Sequence, residues 1–72
     1  MYYIYILKTK KGFYIGYTED LKRRLKQHQR DKESVRLIYY EAYLTEKIAR
    51  TRERKLKYYG SVWRALKKRI IA

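Results

Sequence analysis

Near its start the chain runs Tyr2-Tyr3-Ile4-Tyr5-Ile6-Leu7, six apolar or aromatic residues of β-favouring type with no polar break. A strand with one wet face alternates polar and apolar residues, so this run reads as a strand covered on both faces. Only 72 residues are available to provide that cover. A chain of this length forms one domain with a thin core, burying only about 60% of its unfolded surface. Neither a doubly wound sheet nor a second domain is expected within these residues.

The rest of the chain supplies the parts. Lys8-Thr9-Lys10-Lys11-Gly12 is a polar break ending on a glycine, the residue that tolerates positive φ. Phe13-Tyr14-Ile15-Gly16-Tyr17 follows as a second short strand, so the pair is expected to form an antiparallel hairpin. Thr18 is expected to cap a helix whose Leu21, Leu25 and His28 share one face, with Arg24 on that face too. Gln29-Arg30-Asp31-Lys32-Glu33-Ser34 reads as a polar connector, and Val35–Tyr43 as a third strand. Thr45 is expected to cap a second helix running to about Tyr59, with Gly60 as its left-handed terminator. Ser61 is expected to cap a last helix with a Val62, Trp63, Leu66 and Ile70 stripe. The order β-β-α-β-α-α points to an α+β fold, a small three-stranded antiparallel sheet flanked by three helices.

Charge narrows the partner. Lys plus Arg number 20 against 7 acids, a net charge of +13, yet 46% of the residues are hydrophobic, too many for a disordered polyelectrolyte. The chain has no cysteine and one histidine, which removes disulfide scaffolds, thiolate metal sites and zinc fingers. It has no apolar run of spanning length and no signal-peptide pattern, so a cytoplasmic location and no membrane partner are expected. The partner expected is a phosphate backbone, and no obligate protein partner is evident.

Few residues are equipped for chemistry on that partner. Metal-dependent phosphodiester cleavage needs a carboxylate for a divalent cation, a cationic group for phosphoryl charge and a base for water. Six of the seven carboxylates fall at caps, connectors or element ends. Glu53 lies mid-helix between Ala49 and Leu56, where it reads either as a ligand or as the partner of Lys57 in an ordinary i,i+4 ion pair. Arg24 is either a solvated charge or, on the Leu21–Leu25–His28 face, a phosphate clamp. His28 is either a packing histidine or, kept neutral by Arg24, a proton acceptor. Ten tyrosines suit a thin two-layer fold, base stacking or catalysis by a phenol whose pKa a cationic field lowers, and composition does not choose among these.

The order of residues does choose. Phe13-Tyr14-Ile15-Gly16-Tyr17-Thr18, followed by Leu21-Lys22-Arg23-Arg24-Leu25-Lys26-Gln27-His28, resembles the second half of the GIY-YIG nuclease signature. Tyr14-Ile15-Gly16 stands as its YIG triplet, and Tyr3-Ile4-Tyr5 occupies the GIY position with Tyr3 in place of glycine. Arg52-Glu53-Arg54-Lys55-Leu56-Lys57 resembles the Arg-Glu-Lys helix of the compact stand-alone branch. The resemblance implies a single GIY-YIG-like nuclease domain over 1–72 and a metal-dependent endonuclease of low sequence specificity. DNA is the implied substrate rather than RNA, in a setting of DNA repair or recombination. It implies that Glu53 holds one Mg²⁺ or Mn²⁺, that Arg24 clamps the scissile phosphate, and that Tyr5, alone or with Tyr14, activates water with His28 assisting. Gly16 would allow close backbone approach. Lys22, Arg23, Lys26, Arg30, Arg50, Arg54 and Lys57, with Lys67-Lys68-Arg69, are the expected nucleic-acid contacts. The alternative is a non-catalytic DNA- or RNA-binding module that uses the basic surface and tyrosine stacking.

Overall fold

The hexapeptide near the N-terminus forms the inner strand of the sheet. The computed structural model describes residues 1–31 and 34–71, so Lys32 and Glu33 of the polar connector lie outside the described residues. The elements are β1 (Tyr2–Thr9), β2 (Gly12–Thr18), α1 (Leu21–Asp31), β3 (Arg36–Tyr43), α2 (Glu46–Tyr58) and α3 (Gly60–Ile70). The sheet order is β2-β1-β3, and both pairings are antiparallel. Ile4, Tyr5, Ile6 and Leu7 are each 1% exposed or less, the two-sided burial that their unbroken apolar run requires. This is the expected α+β fold, with the elements in the expected order.

Alternation along β1 assigns its side chains to two different layers. Ile4 and Ile6 join Ala49, Leu56 and Leu66 in the core beneath α2 and α3, with Ile15, Val62, Trp63 and Ile70 packed around it. Tyr5 points the other way, where its cross-strand neighbours are Gly16 and Tyr40. Helix α1 lies over that second face through the half-buried Leu21, Leu25 and His28. It docks more lightly than α2, which packs directly against all three strands. A register slip opposite Ile6 and Leu7 leaves Ile38 as the extra residue of a bulge in β3.

Local chemistry sets the boundaries, and in several places differently from the sequence expectation; α1, for one, continues to Asp31 through the first three residues of the expected connector. The strands continue to Thr9 and from Gly12, so the hairpin loop is only Lys10-Lys11, with Gly12 at φ +131° and Thr9 Oγ1 donating to its carbonyl. Asp20, not Thr18, caps α1: its Oδ1 accepts from the Arg23 amide at 3.1 Å, while Thr18 bonds Asp20 itself. Thr45 caps α2 as expected, accepting from Ile48 N. Gly60 does not end α2 in a left-handed turn. Tyr59 alone, in extended backbone, separates the two helices, and Gly60 opens α3 with Ser61 inside it. No described helix is long and apolar enough to cross a membrane.

Candidate active site

The site residues expected from β1, β2 and α1 meet on the sheet face beneath α1. Cross-strand pairing of Tyr5 with Gly16 puts the Tyr5 ring over a position with no side chain. A Cβ built at Gly16 would collide with the Tyr5 phenol and come within 2.9 Å of the Tyr14 ring. Glycine at this point is therefore what lets the two tyrosines pack together. Their ring centroids are 6.1 Å apart, and His28 closes the triangle at 5.7 Å from Tyr5 and 5.1 Å from Tyr14. The Tyr5 hydroxyl is hydrogen-bonded to Nε2 of His28 at 2.9 Å.

The two phenols are not equivalent. Tyr5 is fully buried, whereas Tyr14 is 43% exposed on the edge strand. Burial raises the pKa of Tyr5 far above that of a free phenol; the neighbouring Tyr14 raises it further, and Arg24 pulls it down only in part. Burial thus outweighs Arg24, and the shift at Tyr5 runs opposite to the lowering expected from a cationic field. Tyr5 is the buried hydrogen-bonding partner, and Tyr14 is the phenol that meets solvent.

Arg24 also departs from its expected setting. It is exposed rather than buried with Leu21, Leu25 and His28, and its Nη1 donates to Gln27 at 3.3 Å. It lines a cavity of about 270 Å³ with Gln27, His28 and Arg30. It also lines an open groove of about 380 Å³ that includes Tyr17, Arg23 and Arg50. That second groove joins α1 to α2, because Arg50 stacks over the Tyr17 ring at 4.3 Å while holding Glu46 at 3.0 Å.

Glu53 stands three residues after Arg50, hence on the same side of α2 and about one turn along. Its side chain is only 18% exposed, and Oε2 pairs with Lys57 Nζ at 3.0 Å. Helix α2 packs on the sheet face opposite Tyr5, but its Arg50 lines the same groove as Arg24 of α1, so α2 reaches the border of the site across the edge strand β2. Among the described residues, no group of three or more His, Cys, Asp or Glu side chains is gathered as a metal cluster.

The expected nucleic-acid contacts divide. Lys22, Arg23, Lys26 and Arg30 line one shallow groove of about 510 Å³ along α1. Arg54 is exposed on α2, and Arg50 and Lys57 are committed to Glu46 and Glu53. Of the motif positions, Ile4 is core, Ile15 packs beside it, and Tyr3 meets Tyr40 edge-on at 6.2 Å.

Glu41 escaped the sequence reading. Its two oxygens accept from the hydroxyls of Tyr39 and Tyr43 and from Arg52 Nε and Nη2, at 2.9 and 3.1 Å. Burial on its own would raise the pKa of this carboxyl, but bonds from Arg52, Tyr39 and Tyr43 outweigh it and hold the value below that of a free glutamate. The network locks α2 to β3 one residue before Glu53. The signal was available in the alternation Tyr39-Glu41-Tyr43, which turns all three inward.

The family model described as the GIY-YIG catalytic domain matches residues 1–59. A UPF0213 protein of Haloquadratum walsbyi is 31% identical over 67 residues, covering 81% of this chain and 75% of its own. A UPF0213 protein of Clostridium perfringens is 36% identical over 62 residues, covering 74% of this chain and 67% of its own. No solved structure matches the chain. The family match takes in every strand and both helices that carry the clustered tyrosines, Arg24, His28 and Glu53, and the chain belongs to the GIY-YIG catalytic-domain family.

Proposed function

We propose that the protein is a metal-dependent endonuclease that hydrolyses phosphodiester bonds in DNA with low sequence specificity. Its family is one of endonucleases. The observation that carries the reading is the Tyr5–Tyr14–His28 triangle built over Gly16, with Arg24 on the same helix as His28. A packing cluster alone has no need of a glycine cradle that leaves one phenol buried against a histidine and the other facing solvent.

The residues divide the work. Arg24 binds the non-bridging oxygens of the scissile phosphate, where a guanidinium fork suits two acceptors. Tyr14 orients the attacking water and shares its proton with the imidazole of His28, which the buried Tyr5 hydroxyl holds in place. Water oxygen bonds to phosphorus as the 3′ oxygen leaves. The single carboxylate at Glu53 fits a hard cation that keeps most of its water, as Mg²⁺ does and Mn²⁺ can. When bound, such an ion stabilises negative charge on the leaving oxygen.

Binding without cleavage is the second reading, and one observation favours it: the Lys57 ammonium already occupies the Glu53 carboxylate that the metal needs. Supercoiled plasmid separates the two. Nicking with Mg²⁺ or Mn²⁺ that stops with EDTA, and that is lost in Glu53→Ala while DNA binding persists, supports the nuclease. Binding with no nicking in either metal leaves the binding module.

A further inference from the structure

Phe13 takes no part in the catalytic reading, yet its ring is a meeting point of charged side chains. Three groups converge on its ring from two other elements, β1 and α3. Lys8 of β1 sits directly opposite Phe13 in the hairpin register and places Nζ 4.5 Å from the ring centroid. Lys67 of α3 places Nζ 5.1 Å from the same centroid. Trp63, one turn before Lys67, closes the ring edge-on at 5.4 Å.

The two ammonium groups lie 4.5 and 5.1 Å from one ring centroid, and neither is in an ion pair among those of the described residues. Cation–π attraction orients each head over the ring. It does not remove their mutual repulsion, which a bound anion would relieve. A phosphate diester has the charge and the acceptor oxygens for that role, and two strand-borne and helix-borne stems fixed over a ring lose little freedom on binding it.

The location gives the pair a function. Phe13 precedes Tyr14 on β2, and Tyr17, under Arg50, lies toward the other end of the same strand. At about 3.3 Å per residue the two cationic sites are roughly 13 Å apart, with the Tyr14 and Gly16 positions between them.

We infer that Lys8 and Lys67 form a phosphate clamp, so that the backbone of a DNA substrate runs lengthwise along β2 from the Arg50–Arg24 groove to the Phe13 ring. The clamp holds phosphates outside the scissile one, and its place in a substrate path rests on the nuclease reading. Its existence as a binding site does not. Binding is therefore measured with a fluorescent DNA duplex in EDTA, where no cleavage occurs, across a salt series. Lys8→Gln/Lys67→Gln should weaken affinity at least roughly tenfold and flatten the slope of log K against log salt by about 1.8, two phosphate contacts' worth. The charge-matched control Lys47→Gln/Lys55→Gln, on exposed positions of α2, should change the slope by less than half as much. Lys8→Arg/Lys67→Arg should keep wild-type affinity, and the circular dichroism melts of all three should agree. If the two glutamine pairs weaken binding equally, or the Lys8/Lys67 pair leaves the slope unchanged, the clamp is refuted. Wild-type binding with this salt signature but no nicking in Mg²⁺ would overturn the nuclease reading and leave the clamp intact.

Discussion

The hydroxyl of Tyr5 and Nε2 of His28 are 2.9 Å apart although 23 residues separate them in the chain. This bond joins the most deeply buried phenol of the sheet to the helix that lies over it. It ties α1 to β1 at the point where the site is assembled. His28→Ala should therefore destabilise the fold by about 1–3 kcal/mol, because it leaves a buried hydroxyl without this partner. Tyr5→Phe and the double variant in denaturant unfolding should show coupling, with the double costing less than the sum of the singles.

Alkaline titration should reveal the buried phenols. Tyr5, Tyr39 and Tyr43 all have raised pKa values, burial being the first cause in each, and Tyr43 is pushed up to about 12 with help from Glu41. The unfolded chain ionises its tyrosines near pH 10 while the folded one still holds the protons. Stability contributed by these groups is thus complete below pH 10 and falls as pH rises from 10 toward 12 and beyond. Urea midpoints measured upward from pH 9 should be level at first and then decline. Tyr43→Phe should make the decline shallower.

The carboxyl of Glu41 gives the opposite limb. Its pKa lies below the 4.5 of a free glutamate, so its contribution is present above that value and disappears as pH falls through the folded-state value. Glu41→Gln should cost about 1–3 kcal/mol at pH 7 by leaving Arg52 half-buried without its counter-charge. It should also remove part of the acid-side loss of stability. A thermal melt series from pH 7 downward checks both.

Gly16→Ala places a methyl on the Tyr5 phenol. Overpacking of this kind costs about 1–3 kcal/mol, and relief requires one tyrosine to move. Nicking activity should fall by more than the loss of folded protein explains. Comparing the rate per folded molecule with wild type tests this, and an unchanged rate would show that the two phenols need not be in register.

Tyr14→Phe and Glu53→Ala should separate water activation from metal binding. Both should lose nicking by roughly 10²-fold or more. Excess Mn²⁺ should restore none of the Tyr14→Phe loss. Lys57→Gln should lower the Mg²⁺ concentration needed for half-maximal nicking, since it removes the ammonium that competes for Glu53.

Much of this was legible in the chain. Tyr2–Leu7 announced an inner strand because apolar residues without alternation have no face to give to water. Thr45 announced a cap because its hydroxyl was the obvious acceptor before an amphipathic stretch. Gly60 and Ser61 misled for a physical reason: helix-ending glycine and helix-starting serine are local preferences, and here packing of Leu56 and Leu66 into one core sets the break at Tyr59. Thr18 yielded to Asp20 because a carboxylate is the better acceptor at a helix start. Arg24 shared its helical face with Leu21 and Leu25, but a lightly docked helix leaves a long side chain room to reach water. What periodicity could not supply was the third dimension: that Glu41 gathers Arg52, Tyr39 and Tyr43, or that Lys8 and Lys67 share Phe13.

The unequal docking of the helices also has a mechanical consequence. Helix α2 is bolted to β3 by the two hydrogen bonds from Arg52 to Glu41, and to the core by Ala49 and Leu56, whereas α1 rests on the sheet through a few long side chains. Opening of α1 costs less than opening of α2, so its amides should exchange with solvent first. Glu53 is thus carried by the firmly held helix and Arg24 and His28 by the loosely seated one, so the two halves of the candidate site differ in how freely they can adjust their positions.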